Sequence, residues 1–265
     1  MGGMSSYSSL AGRSDRPGAM QVSGSTDVVI LCAGRGTRLR PLTDNLPKAL
    51  VRIGGRPLLD YHLEAMQEAG IQRTVCVVGH LAEKITEFLG DGSRFGLQIE
   101  IVHQDPPNGT GGAVLAAAAR IHSDPFAVLY ADIFFQPMAP VWRDLLRDRR
   151  PKVLCAEVED TSRFGRVECG EDEDGKYLKQ VIEKDGRKRT GLVNAGLLLL
   201  PKSVLGALAG LAPSPRGELE LPPVIEALAR SGQKVRIQQV GRWSDIGTLS
   251  ALESANKFSE ANVLS

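Results

Sequence analysis

Apolar residues in this chain fall into short runs bounded by turn residues, separated by longer stretches with helical spacing. Val28–Cys32, Thr74–Val78, Gln98–Val102 and Phe126–Tyr130 read as strands, and Val28–Leu31 as a fully buried one. Between them, Pro57 suits the first turn of a helix running to Glu68 and closed by Gly70. Leu81–Leu89 is a second helical stretch, and Thr110–Arg120 is an Ala-rich third with high helix propensity. Such alternation predicts an α/β fold, a mostly parallel sheet with helices on both faces. After the helical stretch Trp142–Asp148, strands crowd together: Val153–Val158, Arg166–Glu168, Tyr177–Ile182 and Leu192–Leu200, the last stopped by Pro201. Glu171–Asp174 reads as a solvated hairpin tip, since it lacks EF-hand spacing. Two short helices, a strand over Lys234–Val240 and a helix from about Thr248 complete the pattern. Residues 1–25, rich in Ser and Gly without apolar periodicity, read as a disordered tail ahead of one domain over residues 26–265, with Met20 an alternative start.

Charge changes this picture at one place. The net charge of +1 gives no support for a nucleic-acid or membrane partner, and no apolar run approaches the ~20 residues of a membrane span. Yet Arg35, Arg38, Arg40, Lys48, Arg52 and Arg56 crowd into one segment against a single anion, Asp44. That segment follows the strand Val28–Leu31 and turns on Gly34 and Gly36. A Gly-rich cationic loop after a strand is what a polyphosphate needs: backbone N–H groups nest its oxygens, and Arg and Lys neutralise it. The dinucleotide fingerprint fails for want of its third Gly, and no Walker P-loop is present. The four Cys show no C-x-x-C spacing; Cys32, Cys76 and Cys155 sit in apolar runs, so buried reduced thiols and a cytoplasmic location are expected.

The run Leu31–Lys48, L-C-A-G-R-G-T-R-L-R-P-L-T-D-N-L-P-K, resembles the signature of the sugar-1-phosphate nucleotidyltransferases. Further matches follow in the family's order and cover Asp27 to about Lys257. The loop Gln104–Ala113 is similar to the family's base-contacting run, with Gln104, Gly109 and Thr110 at the matching positions; read alone, it is a Pro/Gly turn with Thr110 capping a helix. Asp132 closes an apolar strand, and ligands of open α/β sheets bind outside the carboxyl ends of strands. Asp245 lies in W-S-D-I-G-T, where it could simply cap the last helix. The resemblance implies that Asp132 and Asp245 hold Mg²⁺. Ala131 stands where the family usually has Gly. Phe164-Gly165-Arg166-Val167, Glu183-Lys184 and Asn194-Ala195-Gly196 look like the family's sugar-phosphate pocket, implying Gly165, Glu183 and Asn194 for the sugar and Lys184 for its phosphate.

The implied fold is a Rossmann-like nucleotidyltransferase domain of the glycosyltransferase-A type, with a mixed central sheet. The implied reaction joins a nucleoside triphosphate to a sugar 1-phosphate, giving a nucleotide sugar and pyrophosphate. Its nucleophile is a phosphate oxygen already anionic at neutral pH, so no general base is needed, and none of the four His is assigned a role. Ala33, Gly34, Gly36, Thr37 and Arg38 fall to the triphosphate, with Arg38 on the departing pyrophosphate and Lys48 on the α-phosphate side. An amide at Gln104 can give and accept one hydrogen bond each, which suits a pyrimidine edge and favours UTP or dTTP. The run Gly90–Leu97 and the glycines after Gly109 also resemble guanylyltransferases of heptose phosphates, which keeps GTP open. A non-catalytic nucleotide-sugar-binding subunit is the reading from another class; the retained Arg38, Lys48 and carboxylates argue against it. The resemblance is compatible with a homo-oligomer.

Overall fold

The computed structural model describes residues 26–182 and 186–261; the tail over residues 1–25 and the pair Glu183-Lys184 lie outside the described residues. The chain runs β1 (Val28–Leu31), β2 (Arg52–Ile53), β3 (Arg56–Pro57), α1 (Leu58–Glu68), β4 (Arg73–Val78), α2 (Ala82–Leu89), β5 (Gln98–His103), α3 (Gly109–Ala116), β6 (Phe126–Tyr130), β7 (Ile133–Gln136) and α4 (Met138–Leu146). It continues β8 (Lys152–Val158), β9 (Arg166–Asp172), β10 (Gly175–Ile182), β11 (Gly191–Leu200), α5 (Ser203–Ala209), α6 (Leu221–Arg230), β12 (Arg236–Val240), β13 (Arg242–Asp245) and α7 (Leu249–Ala261).

One sheet carries the domain, in the order β5-β4-β1-β6-β11-β8-β12-β10-β9. The first four strands are parallel; β4, β1 and β6 are the near-continuous apolar runs that a buried parallel strand needs, while the edge strand β5 is half-buried and partly polar. β11 then enters antiparallel to both β6 and β8, and β9 and β10 form an antiparallel pair at the far edge. The sheet is therefore mixed. Because successive side chains face opposite ways, each central strand feeds two cores. Val28 and Ile30 join one, with Leu63 and Met66 of α1 and Trp142 of α4; Val29 joins the other, with Val114 of α3, Leu208 of α5 and Val224 of α6. No helix of the described residues is long and apolar enough to cross a membrane.

Four short strands escaped the sequence pattern. β2 pairs with β3, and β7 and β13 pair antiparallel in a separate ribbon, with Asp245 opposite Ile133. Helix α4 starts at Met138, earlier than the pattern predicts, and buries Trp142 completely. The Ala-rich helix is shorter than expected, ending at Ala116 before a separate turn over Ala118–Arg120.

Candidate active site

The phosphate-type loop leaves β1 at Leu31 and is shaped by one backbone conformation. Gly36 takes φ of 62°, which an L side chain rarely adopts. A Cβ there would also press to 3.1 Å of Thr43 Cγ2 and 3.3 Å of Lys48 Cβ. The buried Thr43 hydroxyl donates to the Gly36 carbonyl at 2.8 Å and fixes the turn, while fully buried Leu39 anchors the turn Thr37–Leu39 beneath it. Gly34 faces open space. The result is a cleft of about 700 Å³ lined by Ala33, Gly34, Arg35, Arg38 and Lys48. Gly36 and Thr37 shape the loop without lining that cleft.

Across the cleft the β7–β13 ribbon brings the two expected carboxylates together. Asp132 follows β6, and its carbonyl accepts the Ile246 N–H at 2.8 Å, tying it to the residue after Asp245. Lys48 Nζ lies 2.5 Å from Asp132 Oδ2 and 3.4 Å from Asp245 Oδ1. One ammonium, only 11% exposed, thus bridges carboxylates 197 and 84 positions away in the chain. Arg38 closes on the same place: a Cβ on Gly247 would sit 3.0 Å from both Asp245 oxygens and 3.2 Å from Arg38 Nη2. Ala131, in place of a family Gly, is accommodated: among the described residues only Leu81 is a non-glycine with positive φ.

Three glycines at the start of α3 let another side chain lie against the helix. The Asn108 amide occupies the space a Cβ on Gly112 would take, with Oδ1 at 1.8 Å from that point. Gln104, 8% exposed, donates from Nε2 to Asn108 Oδ1 and to the Gly109 carbonyl, each at 2.9 Å. A carbonyl can only accept, so the amide orientation is fixed: both Gln104 hydrogens are spent, and Oε1 is left as an acceptor. From residue type alone this amide has a free donor as well; its bonds to Asn108 and Gly109 remove it. Thr110 does not cap the helix. Its hydroxyl accepts the Leu221 N–H at 3.1 Å, and the Leu219 N–H donates to the Asn108 carbonyl at 2.7 Å.

Those bonds strap the segment before α6 across the cleft, and it adds residues that the sequence pattern did not reveal. Arg216, Glu218 and Glu220 line the cleft, and Arg216 pairs with Glu220 at 2.5 Å and Glu218 at 3.4 Å. Only the charges around Gly217 hinted at them, because the segment has no apolar period. A second cavity of about 230 Å³ adjoins the first and shares Arg38, Glu220 and Pro222 with it. Gly165, Asn194 and Asp245 line this second cavity. Asn194 Oδ1 accepts the Gly196 N–H at 2.9 Å. Ile182 ends β10 immediately before Glu183 and Lys184, and Val181 lines the cavity.

The thiols and imidazoles add no nucleophile here. Pairing with the Cys76 thiol, 3.5 Å away, and burial both push the Cys32 thiol far above the ordinary range. His62 is fully buried, donates from Nε2 to the Ile133 carbonyl at 2.7 Å, and is pushed down to about 4 by burial.

Fold and cleft together define an open α/β protein whose charged site sits at the carboxyl ends of the parallel strands. Residues 27–262 match the Nucleotidyl transferase family model, and the chain belongs to that family. It is 34% identical over 232 residues to the bifunctional protein GlmU of Methanococcus maripaludis, covering 87% of this chain and 53% of that protein. It is 33% identical over 236 residues to a glucose-1-phosphate thymidylyltransferase of Streptomyces antibioticus, covering 86% of this chain and 65% of the other. The chain thus spans about half to two thirds of the length of these relatives. Among solved structures, UDP-glucose pyrophosphorylase complexed with UDP-glucose superposes with a TM-score of 0.80 at 22% identity, covering 90% of this chain and all of that one. The UTP-bound enzyme of Acinetobacter baumannii gives 0.74 at 20%, covering 89% and 93%.

Proposed function

We propose that the protein transfers a nucleotidyl group from a nucleoside triphosphate, UTP or dTTP, to a sugar 1-phosphate in a Mg²⁺-dependent reaction that releases pyrophosphate. The observation that carries this reading is the Lys48-bridged pair Asp132–Asp245 at the junction of two cavities. Asp132 lines the larger and Asp245 the smaller, and Arg38 lines both. Two anionic substrates, one in each cavity, would meet there.

The donor set fits a metal. The Lys48 ammonium between Asp132 and Asp245 supports a cation at this pair, and Mg²⁺ typically takes one or two carboxylates with substrate phosphates completing its shell. Among the described residues no larger cluster of metal-ligating side chains occurs. Bound there, Mg²⁺ would supply Lewis-acid stabilisation of the phosphate charge. The chain's own groups do the rest. Arg35, Arg38 and the backbone of the Gly34 turn hold the triphosphate, with Arg38 at the pyrophosphate that departs. Lys48 stands at the α-phosphate, and Lys184 neutralises the sugar phosphate. The attacking phosphate oxygen carries no proton at neutral pH, so the barrier falls by positioning and fixed charge rather than by a base.

Base choice follows from Gln104. Its free Oε1 matches a ring N–H: N3–H of uracil or thymine, or N1–H of guanine. Cytosine and adenine present no hydrogen there, so CTP and ATP leave the acceptor unmet, at about 1–3 kcal/mol. The names of the relatives, a thymidylyltransferase and UDP-glucose pyrophosphorylases, favour the pyrimidines. Competition among UTP, dTTP, GTP, CTP and ATP for one sugar 1-phosphate tests this. UTP or dTTP should lead CTP and ATP by roughly tenfold or more. The variant Gln104→Met should flatten that ranking. GTP in first place would contradict the pyrimidine assignment, and an unchanged ranking in Gln104→Met would remove Gln104 from base selection.

A further inference from the structure

Helix α3 opens on residues that helical stability does not explain. Gly109, Gly111 and Gly112 are each less favourable in a helix than Ala. Two of them make room for the strap: a Cβ on Gly109 would meet the Leu219 carbonyl at 2.5 Å, and one on Gly111 would meet it at 3.0 Å. Gly112 serves something else. The three atoms nearest a Cβ there all belong to the Asn108 amide, Oδ1 at 1.8 Å, Cγ at 2.3 Å and Nδ2 at 2.8 Å. Gly112 thus makes room for one side chain.

Asn108 stands at the N-cap of α3, where an Asn oxygen ordinarily accepts an N–H of the first turn. It makes no such bond. Its backbone carbonyl is tied to the strap by the Leu219 N–H, and its Oδ1 accepts from Gln104 Nε2 at 2.9 Å instead. Gln104 lines the larger cavity and Asn108 does not. Gln104 Nε2 therefore faces two oxygens, Asn108 Oδ1 and the Gly109 carbonyl. Turning that amide over would lose both bonds and set Oε1 against both oxygens. Without Asn108 Oδ1 one N–H is released, and the amide can offer a base a donor as well as an acceptor.

We propose that Asn108, seated on Gly112, is the positioning residue for base choice: it takes the second N–H of Gln104 and leaves only Oε1 for the base. This rests on the base reading of Gln104 given above. A base with a ring N–H, such as uracil, is then accepted. A base with a ring acceptor in its place, such as cytosine, is refused. The start of α3 forgoes a cap bond and a helix-favouring residue in this arrangement, and what it gains is selectivity.

The test is titration calorimetry of the full chain with UTP and with CTP, in Mg²⁺ and without a sugar phosphate. Wild type should bind UTP more tightly than CTP by roughly tenfold or more, and Gln104→Met should abolish that ratio. Asn108→Leu, similar in shape, should bring the ratio toward one at an essentially unchanged melting temperature, because no cap bond is lost. Gly112→Ala should do the same by displacing the Asn108 amide, with a residue that favours the helix. Asn108→Asp should keep the ratio, because its oxygen still accepts from Gln104 and a carboxylate has no donor with which to follow a turned amide. An unchanged ratio in Asn108→Leu, or in Gly112→Ala should the first not fold, while Gln104→Met abolishes it, would overturn this inference and leave Gln104 as the base reader. Loss of the ratio in Asn108→Asp would also overturn it. A wild-type chain that binds UTP and CTP alike, or a Gln104→Met variant that still prefers UTP, would remove the base reading and this inference with it.

Discussion

The two ends of β1 carry charge in opposite ways. Just before its amino end, Asp27 is 2% exposed and fully enclosed. Its carboxylate accepts from Arg73 and Ser123 N–H, each at 2.8 Å, and from His122 N–H. Burial alone would raise the Asp27 pKa, but these N–H donors and the Arg73 guanidinium hold it below the ordinary carboxylate range. Arg73 in turn donates to Glu100 and the Arg120 carbonyl. Just beyond the carboxyl end, charges face a cleft. Asp132 is 37% and Asp245 22% exposed; Asp132 and Lys48 line the larger cavity and Asp245 the smaller. The same strand thus has a closed ion pair that staples neighbouring chain segments and an open one able to exchange partners. What separates structure from chemistry here is unfilled coordination, not the presence of charge.

That contrast can be broken from either side. The largest effect should come from the open end. Asp132→Ala or Asp245→Ala should cut kcat/KM for pyrophosphate release by about 10³-fold or more, and leave the melting temperature essentially unchanged. The double variant should be no worse than the single ones if the pair acts as a unit. A several-degree loss of melting temperature would make this end structural too. Arg38→Ala should cost about 10²–10³ in kcat/KM, the scale of one preorganised donor, again without a change in stability. Activity within about threefold of wild type would remove Arg38 from the site.

At the closed end the expected signs reverse. Asp27→Ala should lower unfolding free energy by about 3 kcal/mol in denaturant titration, because it leaves the His122 and Ser123 N–H groups without their acceptor and removes one of the two carboxylates of Arg73. Specific activity of the folded fraction should stay within about twofold. A large activity loss at unchanged stability would erase the distinction between the ends.

His62 gives the most graded effect, spread over pH. The unfolded chain protonates it near its ordinary 6.5, while burial in the fold lowers it to about 4. The unfolded state therefore binds the proton first. The stability from neutral His62 is complete above about pH 6.5 and is lost as pH falls toward 4, by about 3 kcal/mol in all. His62→Gln, which keeps a donor for the Ile133 carbonyl, should flatten stability across that window. An unaltered pH profile would show that His62 is not the titrating group.

Much of this was legible in the sequence because it is local. The apolar runs announced β1, β4, β5 and β6, and the Gly-rich cationic run announced the loop that follows β1. Asp132 could be placed because it ends an apolar strand. What was not legible depends on contacts distant in the chain. β7 and β13 are short, and each is a strand only through the other, so no periodicity marked the ribbon that unites Asp132 with Asp245. Lys48 read as a phosphate ligand, yet its bridge between two carboxylates exists only after that ribbon forms. Gln104 was identifiable by type and place, but the loss of its donors required Asn108 folded over Gly112. The strap with Arg216 and Glu220 is held by backbone bonds to residues 108 and 110, which leave no trace in composition.

The central claim is that the open end of the strands joins two phosphates. Its direct measurement is to incubate the protein with Mg²⁺, UTP or dTTP labelled at the α-phosphorus, and a series of hexose 1-phosphates, and to separate the products. The account predicts label in a nucleotide sugar with one pyrophosphate released per product, and loss of that product in Asp132→Ala. Label remaining in the triphosphate, with a nucleotide sugar bound tightly and never formed, would contradict it and make the cleft a binding site alone.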